Sequence, residues 1–157
     1  MTTHALLREV TPLPILVIGY GNALRGDDAV GAQMAEAVAA WALPHVTTLA
    51  LPQLVPEVAA LLAEVQWAIF LDAGATQAGM PFALEAIAPQ PDRGFDGHAL
   101  EPGALLSLTQ AIYRRCPEAW LMTIPYDDLR FGVPLSAQTM AGMLAALGFL
   151  REQLLGG

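Results

Sequence analysis

The chain has 157 residues, with seven arginines but no lysine, fifteen acidic residues, one cysteine and a formal charge of −8. That length suits one domain over residues 1–157, large enough to bury an apolar core without disulfide staples. Without lysine there is no Walker-type phosphate lysine and no Schiff-base or pyridoxal chemistry. The negative field disfavours nucleic acid and anionic membranes, and Cys116 alone excludes an internal disulfide or an all-cysteine metal site.

Apolar periodicity then predicts strands alternating with helices. Pro14 to Gly19 (PILVIG) is a continuous apolar run, suited to a strand buried on both faces. A helix is expected over Asp28 to Trp41, a strand over Val46 to Leu51 and a helix over Val55 to Val65. Trp67 to Leu71 reads as a third buried strand that ends at Asp72. Phe82 to Ile87 follows after a connection too short for a helical crossover, so it is expected to run antiparallel at an edge. Ala88 to Leu100 is the longest irregular stretch and contains His98. A helix over Glu101 to Arg115 has Pro102 in its first turn, where the missing N–H costs nothing. Ala119 to Ile124 is a fifth strand, and Ser136 to Leu155 a closing helix with Ser136 as its N-cap. The expected fold is a three-layer α/β sandwich, with helices on both faces of a mostly parallel five-stranded sheet that has one antiparallel strand.

No apolar run approaches the ~18–20 residues needed to span a bilayer. The longest, Met140 to Leu150, contains two glycines, and Arg8 and Glu9 break the charged-then-apolar order of a signal peptide. A soluble, cytoplasmic protein without a membrane or nucleic-acid partner is the expectation. The oligomeric state stays open and is compatible with a monomer.

The turn after the first strand reads GYGNALRGDDAVG, from Gly19 to Gly31. It departs from a dinucleotide fingerprint. Leu24 stands where a third small residue should let helix and strand pack closely, and two aspartates at the helix start would repel pyrophosphate. No nucleotide cofactor is expected. Asn22 can hold the turn through bonds to the backbone. Asp27 and Asp28 can both be helix caps, but one suffices and leaves the second free. Asp72 lies where the carboxyl ends of strands border a ligand crevice, although an Asx-turn accounts for it equally well taken alone. A loop histidine such as His98 is commonly a solvated or capping residue. Together, Asp28, Asp72 and His98 form an O,O,N donor set fit for zinc, nickel, iron or manganese, provided the sheet reverses its strand order beside them.

Other candidates have plainer accounts. Asp127 and Asp128 read as solvated acids of a proline-containing turn. Cys116 lacks a poised base, and Ser107 and Thr109 lack a nucleophile elbow. Trp41, Trp67 and Trp120 read as packing residues, and Arg25 as a charge balance for its neighbouring aspartates.

GYGNALRGDDAVG, the acid of AIFLDA, the loop histidine and the late segment IPYDDLRFGVPLS resemble the NiFe-hydrogenase maturation endopeptidases, over about Ile15 to Leu154. The segments WALPHVTTLALPQLVPEVA and LLSLTQAIYRRCPEAWLMTIP are similar to the branch serving NAD-linked bidirectional or related uptake hydrogenases. The resemblance implies a protease that removes the C-terminal tail of the hydrogenase large-subunit precursor after nickel insertion. It also implies that Asp28, Asp72 and His98 act as metal ligands and catalytic groups toward nickel carried by the substrate. The sequence departs from the family at Ala29, commonly glycine, at PQLVPE, where another branch has an acidic-glycine turn, and at RFGVP. A metal-dependent peptidase or amidase, or a non-catalytic metal-binding module, is the alternative.

Overall fold

The computed structural model describes residues 14–91 and 100–156. In the strand Ile15–Tyr20 (β1) the first five residues are all buried, as expected of a strand covered on both faces. Ile15 and Val17 turn to one face, and Leu16 and Ile18 to the other. Val46–Leu51 (β2), Trp67–Gly74 (β3), Ala83–Ile87 (β4) and Glu118–Pro125 (β5) complete the sheet in the order β2-β1-β3-β5-β4. All pairs are parallel except β4 with β5. The antiparallel edge strand is where its short connection predicted it. Its neighbour is β5, which inserts between β3 and β4.

Helices Val30–Ala40 (α1) and Ala137–Gly156 (α4) bury Met34, Val38, Leu150 and Leu154 against Ile15, Val17, Leu71 and Met122. Helices Val58–Leu62 (α2) and Pro102–Tyr113 (α3) bury Leu62, Leu105 and Leu106 against Leu16, Ile18 and Phe70. The result is the three-layer α/β sandwich read from the sequence. No described helix is long and apolar enough to cross a membrane.

Two helix starts differ from expectation. The segment expected to be helical from Asp28 opens as a 3-10 turn, Gly26–Ala29, because the Asp27 N–H is drawn to the Asp128 carbonyl instead of into an α-helical turn. The helix expected over Val55 to Val65 is confined to Val58–Leu62, flanked by tight turns. Pro102 does occupy the start of α3, and Arg114 closes that helix in the left-handed conformation.

Topology locates the crevice. The chain leaves β1 through α1 to β2 on one side and then crosses back to β3 on the other. Strand order therefore reverses between β1 and β3, and such a switch point opens a crevice beyond the carboxyl ends of the strands. The β1–β3 pairing stops at Gly19 with Leu71, while Asp72, Ala73 and Gly74 go on pairing with β5 alone. Asp72 thus lies inside β3, not at its end, at the point where β3 outruns β1.

Candidate active site

The glycine turn brings Asp28 back over itself. Gly21 has φ 144°, and a Cβ there would lie 2.1 Å from the Asp28 carbonyl oxygen. Only glycine permits both that conformation and that approach. The Asn22 side-chain oxygen accepts from the Leu24 N–H at 2.9 Å, and the Asn22 N–H donates to Asp28 Oδ2 at 2.7 Å. Asn22 holds the turn as expected, and it also fixes the half-buried Asp28 carboxylate.

Leu24 is exposed and does not hold α1 away from the sheet. Contrary to the expectation from Leu24, α1 packs closely on the sheet. A Cβ on Gly31 would lie 2.4 Å from the Leu71 carbonyl oxygen and 2.8 Å from that of Tyr20, and one on Gly19 would collide with the Gly31 carbonyl. The small residue that a close helix–strand contact needs is present, seven positions after Leu24.

Neither aspartate makes a side-chain cap. Asp27 is fully buried. Its Oδ2 accepts from the Asp127 N–H at 2.8 Å, the Asp128 N–H at 2.9 Å and the Ser136 hydroxyl at 2.8 Å; Oδ1 accepts from the Ser136 N–H at 2.7 Å. Burial opposes ionisation, but these bonds from Asp128, Asp127 and Ser136 prevail and hold the carboxyl down to about 2. Ser136 Oγ meanwhile accepts from the Thr139 N–H, so the expected N-cap of α4 is present. One carboxylate thereby joins the glycine turn, the loop after β5 and the start of α4. Sequence reasoning missed this role because every partner is at least 100 positions away.

Asp72 has a different environment. Burial pushes its carboxyl up, a hydrogen bond from the Tyr20 hydroxyl opposes that, the charge of Asp28 raises it further, and the Ala73 N–H lowers it; the outcome is about 6. Burial and the neighbouring Asp72 hold the Tyr20 phenol well above its ordinary value, and Glu101 at the start of α3 adds to this. Tyr20 was another residue the sequence reading passed over. Its signal is its place at the end of β1, immediately before Gly21.

The fold therefore brings Asp28 and Asp72 within electrostatic reach of each other at the switch point. His98, the third predicted member, lies outside the described residues. Among the described residues, no three histidine, cysteine, aspartate or glutamate side chains gather as a metal-binding group. Two facing carboxylates repel each other, and a divalent cation relieves both that repulsion and the cost of burying Asp72. A carboxyl that titrates near neutrality is also suited to accept a proton from water.

The remaining candidates are accounted for structurally. Asp127 and Asp128 donate their backbone N–H groups to Asp27, and the Asp128 carboxylate pairs with Arg130 at 2.6 Å. That is the one ion pair among the described residues, so Arg25 does not balance its aspartates by contact. Burial raises the Cys116 thiol, which points at the Leu106 carbonyl, and the Thr109 hydroxyl bonds back to Leu105. Ser107 is half-buried within α3. Trp41 packs on the core under Arg151, Trp67 packs on the same core, and Trp120 is half-buried in β5.

No protein-family model and no curated protein matches the chain. Solved structures do. The NiFe hydrogenase maturation protease HycI from Thermococcus kodakarensis KOD1 superposes with a TM-score of 0.70 at 19% identity, over 95% of this chain and 98% of that one. The hydrogenase maturating endopeptidase HybD from E. coli gives 0.70 at 19% identity, over 90% and 92%. The hydrogenase 2 maturation peptidase from Thaumarchaeota archaeon SCGC_AB-539-E09 gives 0.65 at 20%, over 90% and 98%. The fold of this chain is the α/β fold of those maturation proteases, along nearly its whole length.

Proposed function

We propose that the chain is an endopeptidase that removes the C-terminal tail of a NiFe-hydrogenase large-subunit precursor after nickel insertion. The observation that carries this reading is the meeting of Asp28 and Asp72 at the switch point of a sheet shared with hydrogenase maturation proteases. Nickel belongs to the substrate in this reading, and Asp28 and Asp72, with His98 as third donor, recognise it. The charge of Asp28 raises the Asp72 carboxyl, and a cation between them relieves that repulsion, which a precursor without nickel leaves in place. A carboxylate oxygen of the pair that is not engaged on the ion then takes a proton from the attacking water, the aspartate-type part of the proposal. The water oxygen bonds to the scissile carbonyl carbon, the C–N bond breaks, and the proton passes to the leaving amine. The resemblance of the second-strand region and of the α3–β5 region supports the branch serving NAD-linked bidirectional or related uptake hydrogenases. The single free cysteine supports a cytoplasmic setting.

The test is to incubate the protein with nickel-loaded and nickel-free precursor. Tail removal is expected from the loaded form only, with a loss of about a hundredfold or more in Asp28→Ala and Asp72→Ala. Equal cleavage of both forms would remove nickel recognition from the proposal, and cleavage of neither would remove the function itself.

A further inference from the structure

A groove of about 560 Å³ opens at the same end of the sheet as the two carboxylates, within the size range of ligand clefts. It begins at Gly74, two residues beyond Asp72 on the same strand. One wall is the loop 75–81, another is Pro125 and Tyr126 at the end of β5, and the floor is formed by Gln138, Ala141 and Gly142 of α4. The walls are locked together. A Cβ on Gly142 would lie 2.4 Å from the Pro81 carbonyl oxygen, so helix and loop are in backbone contact. The loop tip is a closed turn in which the Met80 N–H donates to the Gln77 carbonyl at 3.0 Å, with Gly79 at φ 83°.

The lining contains no charged side chain, in a chain whose formal charge is −8. It does contain two glutamine amides, Gln77 and Gln138, both exposed and neither hydrogen-bonded within the described chain. Each amide can donate and accept, as can the half-exposed Tyr126 hydroxyl. A ligand that presents donors and acceptors alternately and carries no charge is matched by this set, and a peptide main chain is such a ligand.

We infer that this groove holds an extended, uncharged stretch of the substrate polypeptide beside the scissile bond. The inference rests on the endopeptidase reading and adds the chemistry of the segment selected. A stretch advancing ~3.3 Å per residue runs out from the carboxylate pair along the loop, while Gln77 and Gln138 bond its backbone. Charged side chains on that stretch find no partner there and lose their hydration, so the groove selects against them.

The experiment is steady-state cleavage of nickel-loaded large-subunit precursor by the wild type, by Ala141→Arg and by Gln77→Glu. Leu144→Arg is the control, since it makes the same change of charge on an exposed position of the same helix outside the groove. Ala141 is exposed and helical, and arginine is a good helix former. Gln77→Glu, on a loop, keeps the test independent of the helix. Both groove variants are expected to raise KM about tenfold with kcat within about twofold of wild type, the signature of lost ground-state binding, while the control matches wild type. If the wild type cleaves and both groove variants behave as the control does, the groove assignment is overturned and the endopeptidase reading stands. If the wild type does not cleave, the reading falls and takes the groove assignment with it.

Discussion

Asp27 and Asp72 lie 45 positions apart, and their surroundings move their carboxyls in opposite directions. Asp27 is held down to about 2 by backbone and serine donors in spite of its burial. Its ionisation therefore contributes stability that is fully present above about pH 4 and lost as pH falls toward 2. Asp27→Ala leaves the Asp127, Asp128 and Ser136 donors without their acceptor. Urea unfolding at neutral pH is expected to show a loss of about 2–4 kcal/mol. Asp72, raised by burial to about 6, has the opposite sign. The folded state binds its proton more tightly than the unfolded chain does. Its contribution is present below about pH 4 and lost as pH rises through about 6. Asp72→Asn is expected to flatten the fall in thermal midpoint between about pH 4 and pH 6 and to abolish cleavage. A variant that keeps the wild-type slope would show that another group titrates there.

At the scale of elements, the contact between α1 and the sheet decides where Asp28 stands. Gly31 lets the helix touch the carbonyls of Leu71, where the β1–β3 pairing stops, and of Tyr20, one residue beyond Leu71's partner Gly19. In Gly31→Ala the added methyl meets backbone on both strands, and backbone cannot rotate away as a side chain can. A destabilisation of about 3 kcal/mol is expected from the urea midpoint, along with reduced cleavage, because the turn that carries Asp28 is displaced with the helix. The glycine was visible in the sequence. Its function was not, because the spacing of a dinucleotide fingerprint puts the small residue at Leu24, seven positions earlier. The short edge strand shows the converse. The Asp72-to-Phe82 connection was enough to predict its direction, since chain length limits which crossovers are possible. Its neighbour in the sheet depended on β5, which starts 31 residues after β4 ends.

At the scale of the whole molecule, an acidic surface is brought to a point. The strand-order reversal places Asp28 and Asp72 together, and among the described residues no third ligating side chain joins them into a metal-binding group. Protein purified without added metal is expected to contain well below one equivalent of nickel or zinc by elemental analysis. Two carboxylates leave most of the coordination sphere of a divalent ion to water or to the substrate. Stoichiometric, tightly held metal would show that the ion belongs to this protein and not to its substrate.

The sequence by itself determined where most of the strands and helices lie, which chemistries the missing lysine and scarce cysteine exclude, and that Asp28 and Asp72 are candidates for one crevice if the strand order reverses beside them. Those properties are local: a period of two or 3.6 residues and the composition of a turn are legible without knowing what packs against them. Only the tertiary structure decided that Asp27 is a buried link and not a cap, that Tyr20 and Asp72 act on each other's ionisation, and that an uncharged groove continues beyond Asp72. Each of these depends on groups far apart in the chain, such as Asp27 and Ser136, 109 positions apart. A carboxylate's protonation and partners are fixed by the groups that folding brings to it.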